Sequence, residues 1–140
     1  MPRLLKSKSF GRAVLIPVCI WVLASTGCST HQHFSEEWAI SAMMAIRKAE
    51  QDFKSANGRY GTLDELAASH RGIPSRGQYD YQFTVRATPN SYVAVAVPTP
   101  WKEISMSLYL DQSGVIRAMP KNGGEADVKD PPLKGYGINP

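Results

Sequence analysis

His31 and His33, separated by Gln32, come closest to a metal-binding spacing in this chain. Two imidazoles two positions apart in an extended segment can converge on one divalent ion. Only His70 stands elsewhere and no second cysteine can complete a set, so the pair reads as part of a solvated tether. Glu36, Glu37, Glu50, Asp52, Asp64 and Glu65 supply carboxylates. Acid–base catalysis needs two of them in one cleft with their pKa values pushed apart, whereas their positions fit helix caps and solvent faces. Asp111-Gln112-Ser113 lacks the dense set of oxygen ligands that calcium takes, and reads as a turn. There is no Gly-x-Ser-x-Gly elbow and no glycine-rich phosphate loop, and Gly123-Gly124 falls in a charged tail with no helix after it. The chain therefore reads as non-enzymatic, with no cofactor and no metal. Tyr79, Tyr81, Phe83, Tyr92 and Trp101 could line a groove, but alternating aromatics are read as core. Trp101, between Pro100 and Lys102, is the candidate for a partner contact because its loop position is not required for packing.

Cys28 is the other reactive residue. A basic leader (Arg3, Lys6, Lys8, Arg12) precedes an apolar run from Ala13 to Ala24, and small residues lead into the cysteine. This is the pattern of a secretory signal. The run is too short for the roughly 20 residues that a helix needs to cross about 30 Å of hydrocarbon. Leu23-Ala24-Ser25-Thr26-Gly27-Cys28 resembles the lipobox of bacterial lipoproteins, with Ser25 where that family usually has leucine. The resemblance implies that 1–27 is removed and that Cys28 is the lipid-attachment residue and mature N-terminus, giving a membrane-anchored exported protein. Ser29 resembles the residue that permits transfer to the periplasmic face of the outer membrane in Gram-negative bacteria.

The leader also explains the charge. The chain has 16 Lys and Arg against 12 Asp and Glu, a net +4, and a pI near 9.2. The whole excess is the four leader cations, so the chain beyond Gly27 is neutral, which argues against nucleic-acid binding. Of the two cysteines in the sequence, the lipobox resemblance implies that Cys19 leaves with the leader and that Cys28 is taken by lipid. No intramolecular disulfide remains, and one small domain must be held by its hydrophobic core.

Residues 28–34 form the expected lipidated N-terminus and polar tether. A helix is expected from Ser35 as N-cap, with Glu36 and Glu37 in its first turn. Its stripe is Ala39, Ala42, Met43, Ile46, Ala49, Phe53 and Ala56, with Arg47, Lys48, Glu50, Gln51 and Lys54 opposite and Asn57-Gly58 as the stop. Thr62 and Glu65 have capping-box spacing ahead of a short helix. The period then changes to two. Tyr79, Tyr81, Phe83 and Val85 share one face, and the run from Tyr92 to Val97 is the partner strand. In the third strand Ile104, Met106, Leu108 and Leu110 point in while Ser105, Ser107, Tyr109 and Asp111 point out, and Val115 to Ala118 is the fourth. An amphipathic helix packed on a four-stranded antiparallel meander is the expected α+β domain, spanning 35–119. Residues 120–140 are expected to be extended or mobile.

The stretch from Ala49 to Leu66, with Phe53, Asn57-Gly58-Arg59-Tyr60-Gly61 and Leu63-Asp64-Glu65-Leu66, resembles the head of type IV pilin-like proteins, including type II secretion pseudopilins. Tyr92 to Pro98 and Leu108 to Arg117 are similar to that family's strand and hairpin pattern. Some pseudopilins hold calcium near the loop equivalent to Asp111. The prepilin processing site and long apolar helix of that family are missing from this sequence, so the resemblance implies a pilin-like head carried on a lipid, acting as a structural or protein-interaction module and linked to a secretion or pilus system. A small-ligand or glycan-binding lipoprotein using the loop around Trp101 is the alternative.

Overall fold

A computed structural model describes residues 27–99 and 105–135, with side chains described from Ser35 onward. Residues 1–26 of the expected signal segment 1–27, the Trp101 loop, and residues 136–140 of the expected tail lie outside the described residues.

Helix α1 runs from Gly27 to Asn57. It therefore starts before Ser35 and replaces the expected tether. Nothing between Cys28 and Ser35 is a glycine or proline, so once the packed part of the helix is nucleated, each further residue adds a hydrogen bond at little cost. Ser35 and Glu36 are consequently not a cap. The Ser35 hydroxyl donates to Asp80 at 3.1 Å, and Glu36 Oε1 accepts the Met106 amide at 3.3 Å, so both tie the helix to one end of the sheet. The helix ends as expected at Gly58, whose φ of +72° is open to glycine without strain.

Ala39, Ala42, Met43, Ile46 and Ala49 are buried, and Ile40 joins them. Phe53 is only partly buried and Ala56 is exposed, because the helix runs off the sheet at its C-terminal end. Helix α2, Leu63–Ser69, has the full capping box: Thr62 Oγ1 accepts from Glu65 N–H, and the Glu65 carboxylate accepts from Thr62 N–H at 2.8 Å.

Among the described residues the sheet is an antiparallel meander of five strands in sequence order: β1 (Gly77–Gln78), β2 (Tyr81–Ala87), β3 (Tyr92–Pro98), β4 (Met106–Asp111) and β5 (Arg117–Pro120). Alternation in the sequence predicts four. The extra one, β1, has two residues and no hydrophobic alternation to announce it. Tyr79 is correspondingly not a strand residue. It and Asp80 form the two-residue turn between β1 and β2, both with positive φ.

In register, Phe83, Ala96, Leu108 and Ala118 line up across the inner face, as do Val85, Ala94 and Leu110. The alanines of β3 let α1 lie close, and α1, α2 and this face share one core with Ile116. The opposite face is covered too. Ser107 and Tyr109, expected to point to solvent, are buried because the tail crosses them. Ala126 packs with Val95 and Tyr109, and the Ser107 hydroxyl donates to Gly124 carbonyl at 2.7 Å. Arg86 pairs with Glu125, and Lys121 with Asp130. The expected mobile tail is thus, over 121–133, an ordered strap and a third layer.

Candidate functional site

The two edges of the sheet are treated differently. Along β5 the tail supplies main-chain partners: Ala118 N–H donates to Pro131 carbonyl, and Leu133 N–H to Ile116 carbonyl at 2.9 Å. Along β2, β1 covers only Tyr81 and Gln82, and Phe83 N–H reaches Arg76 carbonyl. Continuing that line backwards reaches Ser75 and then Pro74, which has no N–H and is buried, so the chain leaves the edge. Outward-facing main-chain groups recur every second residue. Because Phe83 N–H points outward, those of Val85 and Ala87 do so as well. The Tyr81–Pro98 pair agrees, since proline has no hydrogen to give β2. Among the described residues no main-chain partner meets Val85 or Ala87 on that side.

A groove of about 250 Å³ lies along this edge, walled by Thr62, Leu63 and Asp64 on one side and by Arg76 and β2 from Gln82 to Val85 on the other. Arg76 and Asp64 bridge at 2.9 Å across its exposed rim. The groove is open, contains both polar and apolar wall, and is smaller than the roughly 300 Å³ at which small-molecule pockets begin.

Behind the groove sits a polar group that sequence reasoning places on the solvent side. Glu50 is fully buried, its Oε2 accepts the Gly61 N–H at 2.8 Å, and its Oε1 has no hydrogen-bond partner. Burial pushes its carboxyl up to about 6, against the lowering effect of the Gly61 bond and with a further push from Glu65. Gly61 eases this approach. A Cβ there would meet Leu66 Cδ2 at 3.1 Å and Phe53 Cδ1 at 3.2 Å.

Of the other carboxylates singled out in the sequence, all but Glu37 are engaged with a cation or an amide. Asp52 pairs with Lys48 at 3.0 Å and lies 3.5 Å from His70. Asp64 holds Arg76, and Glu65 holds Arg59 at 2.6 Å, which with the cap amide keeps its carboxyl down at about 2. Glu37 is exposed. Asp111 Oδ1 accepts the Ser113 amide at 2.9 Å, as its turn requires. His31 and His33 fall within α1, which removes the extended geometry that would let them converge. Among the described residues no group of three His, Cys, Asp or Glu is placed to hold a metal ion.

Tyr81, Phe83 and Tyr92 are core residues, as expected. Tyr79 instead stacks on Trp38 with centroids 5.3 Å apart, both exposed, beside the start of β4. Nothing in the spacing of the sequence singles out Trp38. Cys28 lies in the first turns of α1, its side chain beyond the described ones, and Trp101 lies outside the described residues. Comparison of the chain with protein-family models, curated proteins and solved structures found no match.

Proposed function

We propose that this is a lipid-anchored cell-envelope protein whose pilin-like head acts as a non-enzymatic structural or interaction module. The observation that carries the reading is the continuity of α1. The helix that begins at Gly27, next to the lipobox-like cysteine, is the same one that supplies Ile46 and Met43 to the core. A lipidated Cys28 is then joined to the head by one helix. Several acyl chains on one cysteine hold a protein stably, whereas a single chain of about 14 carbons binds only marginally. No described helix is long and apolar enough to cross a membrane, so attachment falls to the lipid or to the signal segment. The order of elements, a long helix, a short capped helix and a meander, supports the pilin-like reading, and through it a link to a secretion or pilus system. Ser29 supports the outer membrane of a Gram-negative cell as the destination.

Metabolic labelling with palmitate tests the anchor. The full chain is expected to take up label and sediment with membranes, while Cys28→Ala takes up none. Equal labelling of the two, or none in either, overturns it. Separation of inner and outer membranes tests the destination, and retention of all the protein in the inner membrane removes it.

A further inference from the structure

We propose that the open stretch of β2, from Phe83 to Ala87, is a docking edge for an extended peptide segment of a partner protein, which adds to the sheet as a strand and places one polar side chain in the groove at Asp64 and Arg76. This deepens the interaction-module reading by naming the partner's chemistry, and it rests on that reading. The occupant follows from what the edge offers. Val85 presents an N–H and a C=O outward and Ala87 continues the row two residues on, which is the repeat that an extended main chain, and no compact ligand, can match.

The slot is a continuation of one already in use. β1 and the Arg76 carbonyl fill its first part, and Pro74 ends the intramolecular strand for lack of an N–H. The groove beside the open part shows that neither α2 nor the loop before it fills the space. The contrast with β5 matters equally. Unpaired edges invite aggregation, and folds normally cover or blunt them. Among the described residues the tail covers β5, while nothing pairs with the outer side of β2 beyond Phe83.

A second copy of the chain fits the slot poorly. A symmetric β2 pair centred on Val85 would set Ala87 of one copy opposite Phe83 of the other, where Arg76 already sits. Shifting the centre to Ala87 would set Val85 against Pro89, which has no hydrogen to donate.

The test uses the full chain in detergent micelles and a fluorescein-labelled probe, acetyl-Lys-Thr-Val-Thr-Val-Lys-amide, read by polarisation. Saturable binding is expected. Val85→Pro removes the outward N–H without touching a bond to β3 and is expected to weaken binding about tenfold or more, while Val85→Ala, which keeps the N–H, stays within about twofold. Should Val85→Pro fail to fold, amide exchange on the wild type decides. Val85 and Ala87 are expected to exchange fast in free protein and to slow when the probe saturates, while Thr84, already paired to Val95, is slow throughout. Undiminished binding by a folded Val85→Pro, slow exchange of Val85 in free protein, no probe binding, or a dimer that Val85→Pro dissolves each overturns the proposal. Binding by Cys28→Ala equal to the wild type is expected, so failure of the anchor and failure of the edge are read separately.

Discussion

Glu50 shows what a single buried charge does to a small fold. The unfolded chain releases this proton near 4.5 and the native protein near 6. Between those values the native state holds a proton that the unfolded state has lost, so this group's contribution to stability falls as pH rises through the window and is flat above it. The step is worth about 2 kcal/mol, and Glu50→Gln is expected to lack it. The difference between the wild-type and variant denaturation midpoints, measured from pH 4 to 7, isolates the effect from Glu65, Glu125 and Asp130, whose lowered pKa values act in the opposite sense. A constant difference across that range contradicts it. Gly61→Ala tests the same clamp from the loop side. The added methyl must push Phe53 and Leu66 apart and draw the amide from Glu50, which costs about 1–3 kcal/mol by urea denaturation.

At the scale of elements, α1 is held by the middle of its stripe. Ile46 is fully buried, so Ile46→Ala is expected to cost about 2–5 kcal/mol. Phe53→Ala should cost less than the roughly 3–5 kcal/mol of an enclosed phenylalanine because Phe53 is only partly buried. Lys48→Ala, with a side chain 75% exposed, should change stability by under about 0.5 kcal/mol. Urea midpoints rank the three, and equal midpoints mean that the helix does not cover the sheet. The helix is legible in the sequence because alanine, methionine and isoleucine repeat at its period. Glu50 is not, although it lies seven residues after Met43 and so on the same stripe, because its residue type argues for solvent. The strands β2 to β4 are legible from alternation, although Met106, expected to point in, is exposed, and β5 starts at Arg117 rather than at the expected Val115. β1 is too short to alternate, and the strap from Lys121 to Leu133 is hidden because, apart from the buried Ala126 and the partly buried Leu133, it packs through main-chain and ionic contacts. Asp130 anchors that strap through Lys121 and the Asp127 amide, so Asp130→Ala is expected to cost about 1–3 kcal/mol in the same assay. The open edge is illegible for a different reason: it depends on where Pro74 falls relative to β2, which is a matter of register between segments.

Across the whole molecule the helices, the inner face of the sheet and Leu133 of the tail belong to one core, and Tyr109 of β4 joins the sheet to the strap on the other side. A fold built this way should unfold as one unit. The far-ultraviolet dichroism of α1 and the fluorescence of Trp38, stacked on Tyr79 at the sheet's end, are expected to share one midpoint in urea, and a helix that melts separately would refute it.

The same arrangement sets the order in which burial becomes possible. Of the described elements α1 comes first in the chain, and it meets α2, β3 and β4 in turn, while Arg47 reaches forward to the carbonyl of Gly114 at 3.1 Å. The nascent helix can dock on α2 once that helix is made, but its cover is complete only when β3, β4 and the turn at Gly114 have followed. The topology itself thus postpones completion of the core until the last hairpin is available, because the partners of α1 are spread along the chain as far as Gly114.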